Sequence, residues 1–180
     1  AWDVTTKGSA TTFDVSSETT APGDIEFSRD GSIMIISSNS GNRHELVSYK
    51  LSTPWSISTA SKFVKSPIQG IGEFIDEFGS LRLIDGYSNY NQGHIHEVKS
   101  AKFSENGDKL YLLDNYNNQY GGYVWTMTLP EPFSIDNPYF DGILRTINGV
   151  YSHTFSPDGL TLIFDGNQQG YLRKYRLRKP

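Results

Sequence analysis

Four stretches of this chain concentrate residues able to recognise a ligand. They read Asn39-Ser-Gly-Asn42-Arg-His44, Asp85-Gly-Tyr87-Ser-Asn89-Tyr90-Asn91-Gln-Gly-His94, Asp114-Asn-Tyr116-Asn-Asn118-Gln-Tyr120-Gly-Gly-Tyr123 and Asp165-Gly-Asn167-Gln168-Gln-Gly-Tyr171. A tyrosine beside asparagine or glutamine offers a flat apolar body with amide donors and acceptors around it, a chemistry suited to sugars or to a protein surface. The residues expected to bind are Asn42, His44, Tyr87, Asn89, Tyr90, Asn91, Tyr116, Asn118, Tyr120, Asn167, Gln168 and Tyr171.

Other chemistry is weaker. Asp85, Asp114 and Asp165 stand at matching ends of apolar runs, which suggests a ring of carboxylates for a cation. A calcium loop of the EF-hand kind needs Glu eleven positions on, where the chain has His96, Trp125 and Arg176, so capping of a turn is the expected role. His94 and His96 share one strand face but have no evident third ligand, and zero cysteines remove thiolate sites and disulfides. His153 falls two residues before Phe155, on what reads as an innermost strand, with Ile25 and Ala101 in the equivalent places. No Gly-x-Ser-x-Gly elbow or phosphate loop is present, so no cofactor or metal is expected and catalysis is not.

The elements that position these loops are repeats. Phe27-Ser-Arg-Asp-Gly31-Ser-Ile-Met-Ile-Ile36, Phe103-Ser-Glu-Asn-Gly107-Asp-Lys-Leu-Tyr-Leu-Leu113 and Phe155-Ser-Pro-Asp-Gly159-Leu-Thr-Leu-Ile-Phe164 each set a tight turn before a buried strand, and Phe74 to Asp85 is a degraded copy. A closing phrase recurs too: Leu51-Ser-Thr-Pro-Trp55-Ser-Ile57 to Phe63 matches Leu129-Pro-Glu-Pro-Phe133-Ser-Ile135 to Phe140. A third copy starts at Leu177-Arg-Lys-Pro180 and resumes, with one extra residue, at Trp2-Asp-Val4 and Phe13. Residues 1–15 are therefore expected to pair with the C-terminal strand, within one chain or between two copies, and Phe13-Asp-Val15 to be a short strand. Apolar residues follow period two or short runs, with Gly, Pro, Asn and Ser between them, so the chain reads as all-β.

The Phe-Ser-x-Asp-Gly phrase resembles the WD40-like, or PD40, β-propeller repeat. The closing phrase Leu51-Ser-Thr-Pro-Trp-Ser-Ile-Ser-Thr-Ala60 is similar to one in repeat propellers of tailed, often marine, bacteriophages. This resemblance implies a β-propeller or propeller segment of four-stranded repeats over 21–63, 64–100 (degenerate), 101–140 and 141–180, with 1–19 supplying closing strands. It implies a non-enzymatic virion component, tail or capsid-decorating, with virion proteins or a host-surface protein or glycan as partners and a homo-oligomer possible. The rival implications are a propeller enzyme of lactonase or glycan-cleaving type using Asp85, Asp114 or His153, and a soluble carbohydrate-binding module.

With 180 residues and a net charge of −4, the chain has the size of one domain and no general attraction to nucleic acid or anionic lipid. No run is long and apolar enough to span a membrane, so membrane insertion is not expected; the virion or extracellular setting is what the phage resemblance implies. The basic run Arg173 to Lys179 alternates with Tyr175 and Leu177, which marks an edge strand whose charges discourage aggregation.

Overall fold

The computed structural model describes residues 8–38, 45–67, 73–75, 81–83, 98–115, 122–146, 150–156, 158–166 and 171–177. They form antiparallel meanders. The first sheet is β1 (Pro22–Phe27), β2 (Ile33–Ser38), β3 (Glu45–Leu51) and β4 (Ala60–Pro67), in that order; β5 (Glu73–Ile75) and β6 (Leu81–Leu83) make a separate two-stranded ribbon. The second four-stranded sheet runs β7 (Val98–Phe103), β8 (Lys109–Asn115), β9 (Gly122–Thr128) and β10 (Tyr139–Arg145). The third has β11 (His153–Phe155), β12 (Thr161–Gly166) and β13 (Tyr171–Arg176).

The repeated turn explains why each meander starts where it does. In all three copies the serine hydroxyl accepts the N–H that restarts the chain: Ile33 to Ser28, Lys109 to Ser104 and Thr161 to Ser156, each at 2.9 Å. Three residues after each serine comes a glycine with positive φ, 74° at Gly31, 76° at Gly107 and 67° at Gly159, a conformation in which a Cβ is strained. Asp30 also takes the Ser32 N–H at 3.0 Å, which holds its carboxyl below the usual range.

Alternation along the strands then sorts the core into layers. Ile35 and Leu46 of the first sheet pack with Val98, Ala101, Leu110, Leu112 and the fully buried Trp125 of the second. The other face of the second sheet, Leu113 and Val124, packs against Leu162 and Phe164 of the third. Burial on both faces is what the unbroken apolar runs required, and it is the main source of stability, at about 25 cal/mol per Å² of apolar surface. The first and second sheets touch directly: Asp24 accepts the Ala101 N–H at 2.9 Å, and the ribbon β5–β6 is a sheet of its own.

The N-terminal residues differ from expectation. Residues 8–15 join no sheet; instead Phe13 meets Tyr49 edge-on at 5.2 Å and, with Val15, covers the outer face of the first sheet, Met34, Ile36, Val47 and Leu51. A turn from Val15 explains it, with Glu18 and Thr19 donating to the Val15 carbonyl and the Lys62 ammonium 3.0 Å from Glu18. Residues 1–7 lie outside the described residues.

Candidate functional site

Each sheet begins with its innermost strand, and contacts between these strands fix their relative direction. Asp24 meets Ala101, Glu26 meets Lys102, and beyond the strand ends Arg29 pairs with Glu105, so both chains advance together and β1 and β7 are parallel neighbours. The Lys99 ammonium lies 5.9 Å above the Tyr151 ring, and Tyr111, which pairs with Lys102, stands 4.1 Å from Phe155. β11 therefore runs the same way.

The Ser-x-Asx-Gly turns of all three sheets lie at one end of the stack. The opposite end carries the closing rungs Ser38–Glu45, Asn115–Gly122 and Gly166–Tyr171, from which three of the four Asn-rich loops leave. Of the expected binding residues, Tyr171 opens β13 opposite Gly166. Asn42, His44, Tyr87, Asn89, Tyr90, Asn91, Tyr116, Asn118, Tyr120, Asn167 and Gln168 lie outside the described residues, as do Asp85, His94 and His96.

The carboxylate ring does not form from Asp114 and Asp165. Phe103 pairs with Leu110 and Phe155 with Leu162, which makes Asp165 equivalent to Leu113 rather than to Asp114. One residue of slip in a strand turns a side chain to the other face. Asp165 caps backbone instead, its Oδ1 accepting from the N–H groups of Tyr151 and Ser152 at 2.8 Å each. Ser37, at the same position in the first sheet, does the same work by accepting the Asp24 N–H at 2.7 Å. Among the described residues no group of three His, Asp or Glu side chains could hold a metal ion.

The inner strands also bring His153, which the sequence singled out, together with three charged residues that it did not. Lys102 lies 2.8 Å from Glu26 Oε2 and 3.7 Å from Asp24 Oδ2, all three half-buried. His153, 3% exposed, faces this group; among the described residues neither ring nitrogen has a hydrogen-bond partner, and its ring meets Phe155 edge-on at 5.6 Å. Burial first, and the Lys102 charge second, push its pKa down to about 4, against a smaller opposing pull from Asp24. The imidazole is thus neutral at pH 7. Lys102, held by two carboxylates, ties the first sheet to the second. The signal for this network was present as charges at alternate positions Asp24 and Glu26 of one inner strand and at Lys102 of another, but the contact spans 76 residues.

No family model matches the chain, and no curated protein matches it at a significant level. Among solved structures it is similar to a functionally unknown protein from Desulfotomaculum acetoxidans, at 13% identity and TM-score 0.40, covering 86% of this chain and 55% of that one. It is also similar to provisionally assigned 6-phosphogluconolactonases from Bacteroides fragilis, at 13% identity and TM-score 0.39, covering 93% and 58%, and from Bacteroides uniformis, at 12% and 0.38, covering 87% and 55%. The chain spans a little over half the length of these structures. The fold is established by the sheets themselves: an all-β propeller segment of antiparallel meanders stacked face to face. Among the described residues no helix is long and apolar enough to cross a membrane.

Proposed function

We propose that this chain is a non-enzymatic recognition scaffold whose Tyr- and Asn-rich loops bind a glycan. The observation that supports it is the parallel order of β1, β7 and β11, which sends the loop-bearing rungs Ser38–Glu45, Asn115–Gly122 and Gly166–Tyr171 to one end of the stack. Several weak loops presented together gain affinity by multivalency, and tyrosine rings with neighbouring amides suit the faces and hydroxyls of sugars. The resemblance of the closing phrase to phage propellers favours a virion or host-surface setting for that contact.

The test is a glycan array followed by titration of any hit. The unmodified chain should bind, and the combined variant Tyr87→Ala, Tyr90→Ala, Tyr116→Ala, Tyr120→Ala should lose at least tenfold in affinity with an unchanged melting curve. Retained affinity in that folded variant, or binding to a host protein with no glycan signal, contradicts the reading.

A further inference from the structure

The two contacts between sheets are built differently. The first and second sheets are tied by directional bonds: the Ala101 N–H donates to Asp24 at 2.9 Å, the Lys102 ammonium lies 2.8 Å from Glu26, and Arg29 pairs with Glu105 beyond the strand ends. The third sheet meets the second through packed side chains. Leu113 and Val124 lie with Val150, Leu162 and Phe164 in one buried cluster, the Tyr111 ring stands 4.1 Å from that of Phe155, and the Lys99 ammonium lies 5.9 Å above the Tyr151 ring. Such a contact needs close packing and tolerates little charge inside it.

A titratable ring is enclosed in it. His153 opens β11 and, two residues before Phe155, shares the strand face that Phe155 turns toward Tyr111. The ring is 3% exposed, Phe164 pairs with it from β12, and neither of its nitrogens has a hydrogen-bond partner among the described residues. The titratable groups on the strands around it are Lys99 and Lys102 on β7, Asp24 and Glu26 on β1, Tyr111 on β8 and Asp165 on β12. Of these, Lys102 opposes a proton on the ring and Asp24 favours one more weakly. Asp24 already holds the Ala101 N–H and Glu26 already holds Lys102. A protonated imidazole would therefore be a buried cation beside an ammonium.

We propose that His153 is an acid-sensitive latch: taking up a proton there releases the third sheet from the second, while the first and second sheets stay joined. In the opened form water solvates the imidazolium, so the proton binds that form more tightly and shifts the equilibrium toward it. The sign follows from linkage. Burial first, and Lys102 second, lower the pKa of the closed form to about 4, and opening returns it toward 6.5. The closed form is thus fully favoured above pH 6.5, and that preference is lost as pH falls through 4. Between pH 7 and pH 4.5 the opened population should rise on the order of 50-fold. Opening carries the rung Gly166–Tyr171 away from Asn115–Gly122, whatever the loops at that end bind.

Hydrogen exchange read by mass spectrometry on the full chain separates local opening from global unfolding. A detached three-stranded meander has no second layer over its apolar face, so its amides exchange when it opens. After correction for the intrinsic pH dependence of exchange, protection of β12 and β13 should fall on the order of 50-fold from pH 7 to pH 4.5, and that of β2, β3, β8 and β9 far less. His153→Leu, which removes the titration and keeps the volume, should hold the third sheet's protection constant between the two pH values; His153→Phe serves the same purpose if leucine packs poorly. The proposal is overturned if the third sheet's protection does not change with pH, if all three sheets lose protection equally, or if the folded His153 variants show the same loss. A third sheet without protection at pH 7 overturns it as well.

Discussion

His153 sits where a proton is costly. Its imidazole is buried against Phe155, with the charges of Lys102 and Asp24 near enough to act on it, and neither ring nitrogen has a hydrogen-bond partner among the described residues. In the unfolded chain it titrates near 6.5 and in the folded chain at about 4, so the unfolded state binds the extra proton between those values. Stability from this residue is complete above pH 6.5 and is lost as pH falls through 4, by about 3 kcal/mol. Urea midpoints measured from pH 7 to pH 4.5 should fall more steeply for the natural chain than for His153→Leu, which keeps the volume and removes the titration. Parallel curves would mean the ring is hydrated. The position of His153 on an inner strand was readable from its offset to Phe155. Its neighbours were not, because Asp24 and Lys102 reach it from strands far away in the sequence.

At the level of elements, the turn and the closing phrase work as one unit, since the glycine that makes the turn also leaves room for an aromatic lid, Trp55 over Gly31 and Phe133 over Gly107. Gly107→Ala forces both a strained φ and a contact with the Phe133 ring, and should cost about 1–3 kcal/mol in chemical denaturation. Gly159→Ala pays the strain without a described lid above it and should cost about 1 kcal/mol. Equal losses would mean that the lids contribute nothing. The Phe-Ser-x-Asx-Gly turn, the buried return strand and the phrase around Trp55 and Phe133 were all evident in the sequence, because each depends on residues within one hairpin. The slip between Asp114 and Asp165 was legible too, as seven residues from Gly107 to Asp114 against six from Gly159 to Asp165, but matching the carboxylates by type hid it. The docking of Phe13 on Tyr49 was not legible, because an apolar face on the first sheet competes with strand pairing for the same side chain.

The described sheets form a stack whose two ends differ: tight, internally hydrogen-bonded turns at one, and at the other the rungs Ser38–Glu45, Asn115–Gly122 and Gly166–Tyr171. That polarity could be anticipated from the repeats, whereas the direct contact of the first and second sheets could not, because the degraded copy from Phe74 to Asp85 reads as an intervening unit and instead contributes the ribbon β5–β6. A single recognition face requires the inner strands to run parallel. Spin labels test this directly: one pair at Thr20 and Tyr151, ahead of β1 and β11, and another at Thr20 and Asp158, in the turn after β11, all exposed positions in a chain without cysteine. With sheets about 10 Å apart and strands rising about 3.3 Å per residue, the Thr20–Tyr151 distance should be roughly 5–10 Å shorter than Thr20–Asp158. Equal distances, or the reverse order, would place the loops at both ends of the stack and contradict a single recognition face.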